Sequence, residues 1–194
     1  MDPFATNSEL ATLTQTFQQA QYASVLSDYS PSSFSPSNTL AVRILQYRAQ
    51  IALHQTQEVT TAISEAEATS TPALAAVKAL ALHHSPSTAG NAVQTAENLA
   101  ENHGDDATVQ VCVGTVLARS GRYEEALKLL AKHEGSLEAV MLIVQVHLLM
   151  NRADLAAKEC KTARGIAGDA LGVNLAESWV GVREVSFIYP YYYA

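Results

Sequence analysis

SGRYEEALKLL, residues 120–130, places a turn-forming glycine, Gly121, two positions before Tyr123, where an amphipathic helical pattern begins. Ala126, a very small residue, lies on the apolar side of that pattern. Glycine allows the backbone to turn sharply, and a small side chain lets the helix after the turn approach the helix before it. The stretch therefore predicts a helical hairpin, and its recurrence would make the chain a repeat protein.

The pattern does recur. Small residues follow successive predicted turns at intervals of 34, 33, 34 and 30 residues, at Val25, Val59, Ala92, Ala126 and Ala156. An interval of about 34 residues is typical of tetratricopeptide (TPR) repeats, in which each unit is a helix-turn-helix. Because one hairpin cannot bury its apolar face alone, the units must stack. The sequence predicts an all-α, TPR-like α-solenoid of stacked antiparallel helical hairpins.

Helix start and stop signals divide the chain in agreement with this pattern. Ser8 is a candidate N-cap, and Thr71-Pro72 has proline at the first helical position. SPSSFSPSN, residues 30–38, reads as a loop. The predicted helices cover about residues 8–20, 22–29, 40–53, 57–68, 72–82, 89–102, 106–118, 123–133, 136–150, 153–163 and 170–182.

Composition and charge exclude several classes of function. The formal net charge is -7, from 19 acidic and 12 basic residues, and this balance argues against nucleic-acid binding, which depends on clustered lysine and arginine. The first ten residues carry no positive charge, so we expect neither a secretory signal nor a transit peptide, and we expect a cytoplasmic protein. The longest apolar run, residues 139–150, is shorter than the roughly 20 residues of a membrane span.

No group of residues in the sequence predicts catalysis, a metal or a cofactor. His83-His84 has no further ligand at a suitable spacing, and Cys112 and Cys160 are predicted to be buried, reduced core residues. Asp105-Asp106 is better explained as an acidic helix start than as an acid–base pair. Phosphate-binding loops and hydrolase motifs are absent from the sequence, so we expect no enzyme activity.

The concave face of the predicted solenoid is the expected partner-binding surface, because the first helix of each unit lines it. The repeat register assigns ten residues to this face: Leu10, Phe17, Ile44, Arg48, Ile51, Val77, Val111, Thr115, Arg119 and Met141. These residues are mainly apolar. Such a face is better suited to a folded or β-type partner segment than to the carboxylate of an acidic peptide.

Several segments go beyond a generic repeat. The opening MDPF, RILQYRAQIAL (43–53), SGRYEEALKLL, SLEAVMLIVQVHLLMNRADLAAKE (136–159) and LAESWVGV (175–182) follow one another along the chain. In this order they resemble the epsilon subunit family of coatomer. The resemblance covers roughly residues 1–183, and its most specific parts are NRADLAAKE and ESWV.

This resemblance implies a non-catalytic subunit of the COPI vesicle coat that needs no cofactor. Members of the family form a TPR-like solenoid that binds the C-terminal region of the coatomer alpha subunit, and they meet other coatomer subunits indirectly. The coat serves retrograde Golgi-to-ER and intra-Golgi transport. We therefore expect peripheral association with Golgi membranes and COPI-coated vesicles, on the cytosolic side. The alternative from the repeat pattern alone is a TPR adaptor of another pathway, such as chaperone or import recognition.

The end of the chain departs from the family. Family members continue after ESWVGVRE with a Gly-Lys-rich turn and further helices, whereas this chain reads VSFIYPYYYA. We expect a helical-repeat domain over residues 1–183, a divergent tail over residues 184–194, and a truncated or alternatively processed product. In such a product the apolar side of the last helix, with Leu175 and Trp179, is exposed or covered only by the tail, and this exposure predicts self-association.

Overall fold

Helices account for the fold of the part of the chain that the structure describes. The computed structural model describes residues 9–188, and for residues 184–188 it describes the backbone alone. The helices are α1 (Ala11–Gln18), α2 (Tyr22–Ser27), α3 (Thr39–Ala52), α4 (Thr56–Ala62), α5 (Glu65–Ser70), α6 (Pro72–His83), α7 (Ala89–Asn102), α8 (Ala107–Arg119), α9 (Tyr123–Leu130), α10 (Leu137–Leu149), α11 (Ala153–Ala167) and α12 (Leu171–Ile188). A short 3-10 turn, Pro31–Ser33, lies between α2 and α3, and residues 9–188 contain no strand. The all-α prediction is confirmed.

The helices pair into hairpins that stack in chain order. Each first helix contacts its own partner, as in α1 with α2, α3 with α4, α6 with α7, α8 with α9 and α10 with α11. The first helices also contact one another in sequence, from α1 through α3, α6, α8 and α10 to α12. This arrangement is an α-solenoid whose inner surface is formed by the first helices.

The residues that set the predicted repeat interval are all buried in the core. The five small residues that set the interval, Val25, Val59, Ala92, Ala126 and Ala156, all have 0% exposure. Each lies early in the second helix of a hairpin, where it faces the first helix. A larger side chain at these positions would separate the two helices, so the size restriction follows directly from the packing.

Four of the hairpin turns share one backbone conformation, which explains the glycine of the opening stretch. Gly121 has φ 77° and occupies the same place as Ala20, His54 and Asn151, with φ of 59°, 64° and 59°. In every case the next residue donates its N–H to a carbonyl five positions back, as from Arg122 to Leu117 at 2.9 Å. This is a Schellman ending followed at once by a new helix, and glycine is the residue with the lowest cost at its left-handed position.

The second unit differs from its prediction. One helix was expected over residues 57–68, but the structure has two, α4 and α5, separated at Ile63 and Ser64. Ser64 begins α5 with a capping box, in which its side chain accepts from Glu67 N and the Glu67 side chain accepts from Ser64 N. Ile63, with an extended backbone, is 1% exposed, so burial of this side chain and the new cap favour the break.

The remaining boundaries differ little from their predictions. Pro72 is the first residue of α6, and Ser136 caps α10. The predicted Ser8 cap lies outside the described residues, and α1 begins after Leu10 without a side-chain cap. The backbone of α12 continues to Ile188, past the predicted start of the tail, and residues 189–194 lie outside the described part.

Candidate partner-binding groove

A groove on the inner surface of the solenoid is the candidate functional site. It encloses about 330 Å³ and is formed mainly by the first helices α1, α3, α8, α10 and α12. Its lining, which we call the inner groove, consists of Phe17, Gln18, Tyr22, Arg48, Val111, Thr115, Glu138, Met141, Leu142, Gln145, Gly172, Leu175 and Trp179. Residues far apart in the chain therefore meet on one surface.

Half of the predicted concave-face residues line this groove. Phe17, Arg48, Val111, Thr115 and Met141 come from four different helices, and the structure brings them together. Their placement follows from the repeat register, because equivalent positions of successive first helices face the solenoid axis. Their role in binding a partner stays a prediction.

The other five predicted residues lie elsewhere. Ile44, Ile51 and Val77 are 7%, 4% and 0% exposed and belong to the central hydrophobic core. The helices α3 and α6 contact each other, and all three side chains belong to the core cluster that both helices help to form. Leu10 packs with the N-terminal hairpin, and the exposed Arg119 donates from Nη1 to His84 Nε2 at 2.9 Å. None of these five residues lines the groove.

An ion pair crosses the inner groove. Arg48 on α3 donates to both carboxylate oxygens of Glu138 on α10, with 3.2 Å between Nη1 and Oε2. The Arg48 guanidinium also lies over the ring of Phe17, 4.9 Å from its centroid. The Arg48 side chain is 13% exposed and that of Glu138 is 37% exposed. We call these three residues the clasp, since they join α1, α3 and α10.

Electrostatics keep the Arg48 guanidinium charged. Burial by itself lowers the pKa of the Arg48 guanidinium, but the carboxylate of Glu138 and other nearby groups more than offset it, and the pKa is raised overall. Cys112, on α8 nearby, is fully buried, and burial raises the pKa of its thiol to about 11. The thiol is therefore neutral at physiological pH and is not an activated nucleophile.

The rest of the inner groove is largely apolar and aromatic. Phe17 and Tyr22 meet edge to face with 5.4 Å between ring centroids. On the opposite side, Gly172 of α12 packs against the Met141 side chain of α10, since a Cβ there would lie 2.5 Å from Met141 Sδ. Trp179 and Gln145 continue the lining into a second cavity of about 470 Å³ that also includes Leu149, 55% exposed. Aromatic and methionine side chains of this kind are typical of protein-binding surfaces.

Several groove residues were not predicted, although the sequence contains a signal for some of them. Glu138, Met141, Leu142 and Gln145 recur at helical spacing in α10, and only Met141 was assigned to the concave face. The polar Glu138 and Gln145 within this apolar helix mark the side that faces the open groove. Gly172, Leu175 and Trp179 form a similar series in α12.

The residues that the sequence offered for metal binding or acid–base catalysis make structural contacts. His83 Nε2 lies 3.0 Å from Ser120 Oγ, and the His84 ring contacts Leu80 O and Arg119. Asp106 caps α8 by accepting from Thr108 N and Val109 N at 2.8 and 3.0 Å, as predicted. Among residues 9–188 no three His, Cys, Asp or Glu side chains group in a way that could hold a metal ion.

The cysteine prediction is confirmed. Cys112 and Cys160 are free and buried, at 0% and 3% exposure. In the described part of the chain, no helix combines the length and apolar character needed to cross a membrane.

Comparison with known proteins shows similarity to one protein family. A family model described as coatomer epsilon subunit matches residues 6–186. A probable coatomer subunit epsilon of Schizosaccharomyces pombe is 28% identical over 177 residues, covering 91% of this chain and 57% of its own length. Coatomer subunit epsilon-1 of Arabidopsis thaliana is 29% identical over 188 residues, covering 94% of this chain and 62% of its own length. The chain thus spans about three fifths of the length of these curated relatives.

Proposed function

The chain belongs to the coatomer epsilon subunit family, and on this premise we propose that it acts as a non-catalytic subunit of the COPI vesicle coat. Its role is to bind another coat subunit through the solenoid and so to support retrograde Golgi-to-ER and intra-Golgi transport. It works on the cytosolic side of Golgi membranes and COPI-coated vesicles, where the coat holds it peripherally. Other coatomer subunits are reached through the first partner.

The partner proposed for the inner groove is the C-terminal region of the coatomer alpha subunit. The supporting observation is the apolar and aromatic lining that α1, α8, α10 and α12 contribute around the clasp. A segment entering this groove contacts ring faces, the Met141 thioether and the edge of the ion pair. An extended or β-type segment fits this surface, because its alternating side chains can enter apolar positions on both walls.

An adaptor for acidic C-terminal peptides is the competing function, and charge argues against it. A carboxylate clamp requires several lysine, arginine or asparagine side chains pointing into the groove. Among the described residues that line the groove, Arg48 alone is basic, and its guanidinium is already paired with Glu138. The C-terminal carboxylate of a peptide would have to compete with Glu138 for the Arg48 guanidinium.

The proposed function is tested by binding to the purified C-terminal region of the alpha subunit. Two substitutions place a large ring in the groove: Thr115→Trp, at a half-buried position on α8, and Gln145→Trp, at an exposed position on α10. We expect each to weaken binding at least about tenfold, because the new ring occupies space that the partner needs. Gln94→Trp on α7, also exposed but outside the groove, is the matched control.

Circular dichroism melting checks that all three variants fold like the parent chain. Binding that is equally strong in the parent and in both groove variants would exclude this groove as the contact surface. Failure of the parent chain to bind the alpha-subunit region would contradict the proposed partner, and an acidic C-terminal peptide would then be the next ligand to measure.

A further inference from the structure

Ser35 and Pro36 form an exposed Ser-Pro dipeptide in the loop between α2 and α3. The preceding residue, Phe34, has an extended backbone with φ -107° and ψ 157°. Proline-directed serine/threonine kinases act on a serine that is followed by proline and can be held in an extended segment. The loop therefore presents an exposed serine hydroxyl that follows an extended residue and precedes proline, at the start of a turn closed by the Asn38 N–H.

Two other Ser-Pro dipeptides are less suitable. After Ser30, Pro31 is half-buried as the first residue of the 3-10 turn. Ser85 is exposed, and its carbonyl accepts from Thr88 N and Ala89 N at 3.1 and 3.0 Å, in a turn similar to the one in which the Ser35 carbonyl accepts from Asn38 N at 2.8 Å. The Ser30 and Ser85 hydroxyls bond to the hydroxyls of Ser32 and Ser87, at 2.8 and 3.0 Å, whereas the Ser35 hydroxyl bonds to a charged carboxylate.

Ser35 holds the start of α1 through Glu9. The Ser35 N–H and Oγ–H both donate to Glu9 Oε1, at 2.7 and 3.0 Å. The Asn38 side-chain amide donates to the other oxygen, Oε2. These hydrogen bonds, first of all the one from the Ser35 backbone, lower the pKa of Glu9, which is therefore ionised. The carboxylate ties α1 to the loop that leads into α3.

We propose that Ser35 is a phosphorylation site whose modification detaches Glu9 and loosens the N-terminal hairpin, α1 with α2, while the buried contacts of this hairpin with α3 remain. In the reaction the Ser35 Oγ attacks the γ-phosphorus of ATP and forms a new P–O bond. The bond to the β,γ-bridging oxygen breaks, ADP leaves with that electron pair, and the hydroxyl proton passes to the catalytic base of the kinase. No oxidant or reductant is required.

Phosphorylation changes both sides of the contact with Glu9. The Oγ–H donor no longer exists, and a group with about two negative charges is placed within a few ångströms of the carboxylate. The phosphate oxygens also compete with Glu9 for the Ser35 N–H and the Asn38 amide. They lie just ahead of α3, whose N-terminus favours an anion. All these effects displace Glu9 from the loop.

The loosened hairpin carries one wall of the inner groove. Phe17 and Tyr22 belong to α1 and α2, and Phe17 is also part of the clasp beneath the Arg48 guanidinium. A loosened hairpin therefore removes two aromatic contacts from the groove. This consequence for partner binding rests on the proposed function, whereas the modification and the loosening of the hairpin do not.

The test uses the intact chain, ATP and a purified proline-directed kinase, with phosphate located by mass spectrometry. We expect phosphate on Ser35, lost in Ser35→Ala and reduced in Pro36→Ala, while Ser85→Ala leaves it unchanged. Hydrogen exchange of the phosphorylated chain should be at least about tenfold faster in α1 and α2, as expected from losing hydrogen bonds to a charged group. Exchange in α8 and α9 should stay the same.

Absence of phosphate from Ser35 would overturn the proposal, and so would phosphate on Ser35 with unchanged exchange in α1 and α2. These readouts need no partner. If labelling and faster exchange are observed but neither form of the chain binds the alpha-subunit region, the modification site stands and the proposed function fails.

Discussion

Arg48 and Glu138 form an ion pair although 90 positions separate them in the chain. They belong to the second and fifth hairpins, so the contact spans the two hairpins α6/α7 and α8/α9. In a typical repeat protein each unit contacts only its neighbours, and stability is close to a sum of local terms. The clasp is a non-local contact added to such a stack, and it makes the two halves of the inner groove depend on each other.

Breaking the clasp from one side should destabilise the protein. Arg48→Met leaves the Glu138 carboxylate without its partner, and we expect a loss of about 1–3 kcal/mol in the free energy of unfolding. The loss is smaller than for a fully buried pair because the Glu138 side chain is 37% exposed. Urea unfolding of Arg48→Met, Glu138→Gln and the double variant gives the coupling energy, expected to be on the order of 1 kcal/mol. Strictly additive effects would show that the pair contributes nothing.

Removing glycine from one left-handed turn should lower stability, and introducing glycine into another should raise it. Gly121→Ala places a Cβ at φ 77°, and His54→Gly removes one at φ 64°. After allowance for the greater freedom of glycine in the unfolded chain, we expect a loss of about 0.5–1 kcal/mol in the first case and a similar gain in the second. Thermal melting of both variants measures this. If the His54→Gly protein is less stable than the parent, the contacts of the His54 side chain stabilise the fold by more than its left-handed backbone destabilises it.

Enlarging the small residue of a hairpin should cost more than enlarging an exposed neighbour. Ala126 has 0% exposure and faces the preceding helix, so Ala126→Trp overpacks the hairpin and should cost about 1–3 kcal/mol or more. Ala131→Trp, at an exposed position just after the same helix, is the control. Circular dichroism melting compares the two. Equal melting temperatures for both variants would contradict the register on which the repeat interval depends.

Stability should fall as the pH drops below 6.5. Burial, followed by the charges of Arg119 and His84, lowers the pKa of His83, and burial also lowers the pKa of His147. Both groups then bind protons more readily in the unfolded chain than in the folded one. The free energy of unfolding therefore rises with pH between the pKa of each histidine in the folded chain and 6.5, its pKa in the unfolded chain. Above pH 6.5 the two histidines contribute their full stabilisation.

Unfolding in urea at several pH values from 7.5 to 5.5 measures this dependence. His83→Gln should reduce the slope, since the substitution removes one of the titrating groups and keeps a polar side chain beside Ser120. An unchanged slope in His83→Gln would show that other groups govern the pH dependence. The lowered pKa of Glu67 and of Glu177 affects stability only at more acidic pH, because both start from 4.5.

The regular parts of the fold could be predicted because local sequence specifies them. The recurrence of small residues such as Val59 and Ala126 at a constant interval predicts the hairpins, and the left-handed turn at Gly121 follows from its glycine. The left-handed turns at Ala20 and His54 have no such signal in the sequence. The break at Ile63 was missed, although SEAE at residues 64–67 fits a capping box, because the apolar spacing across the break continues a single helix.

The groove was only half predictable for a different reason. The repeat register specifies which positions face the axis, and it placed Thr115 and Met141 correctly in the lining. It does not specify which of these positions a neighbouring first helix covers, so Ile44 and Val77 were placed on an open surface although both are buried. The pairing of Arg48 with Glu138 depends on the curvature accumulated over several units, which no local pattern reports.

The clasp also has a mechanical consequence. A stack of helical hairpins behaves as a spring when its ends are pulled, since small rotations between neighbours add up along its length. The Arg48–Glu138 ion pair joins the second and fifth hairpins, so the two hairpins between them cannot rotate freely while the pair is intact. Under tension this protein should stretch little at first and then lengthen abruptly, at the force that separates the guanidinium from the carboxylate.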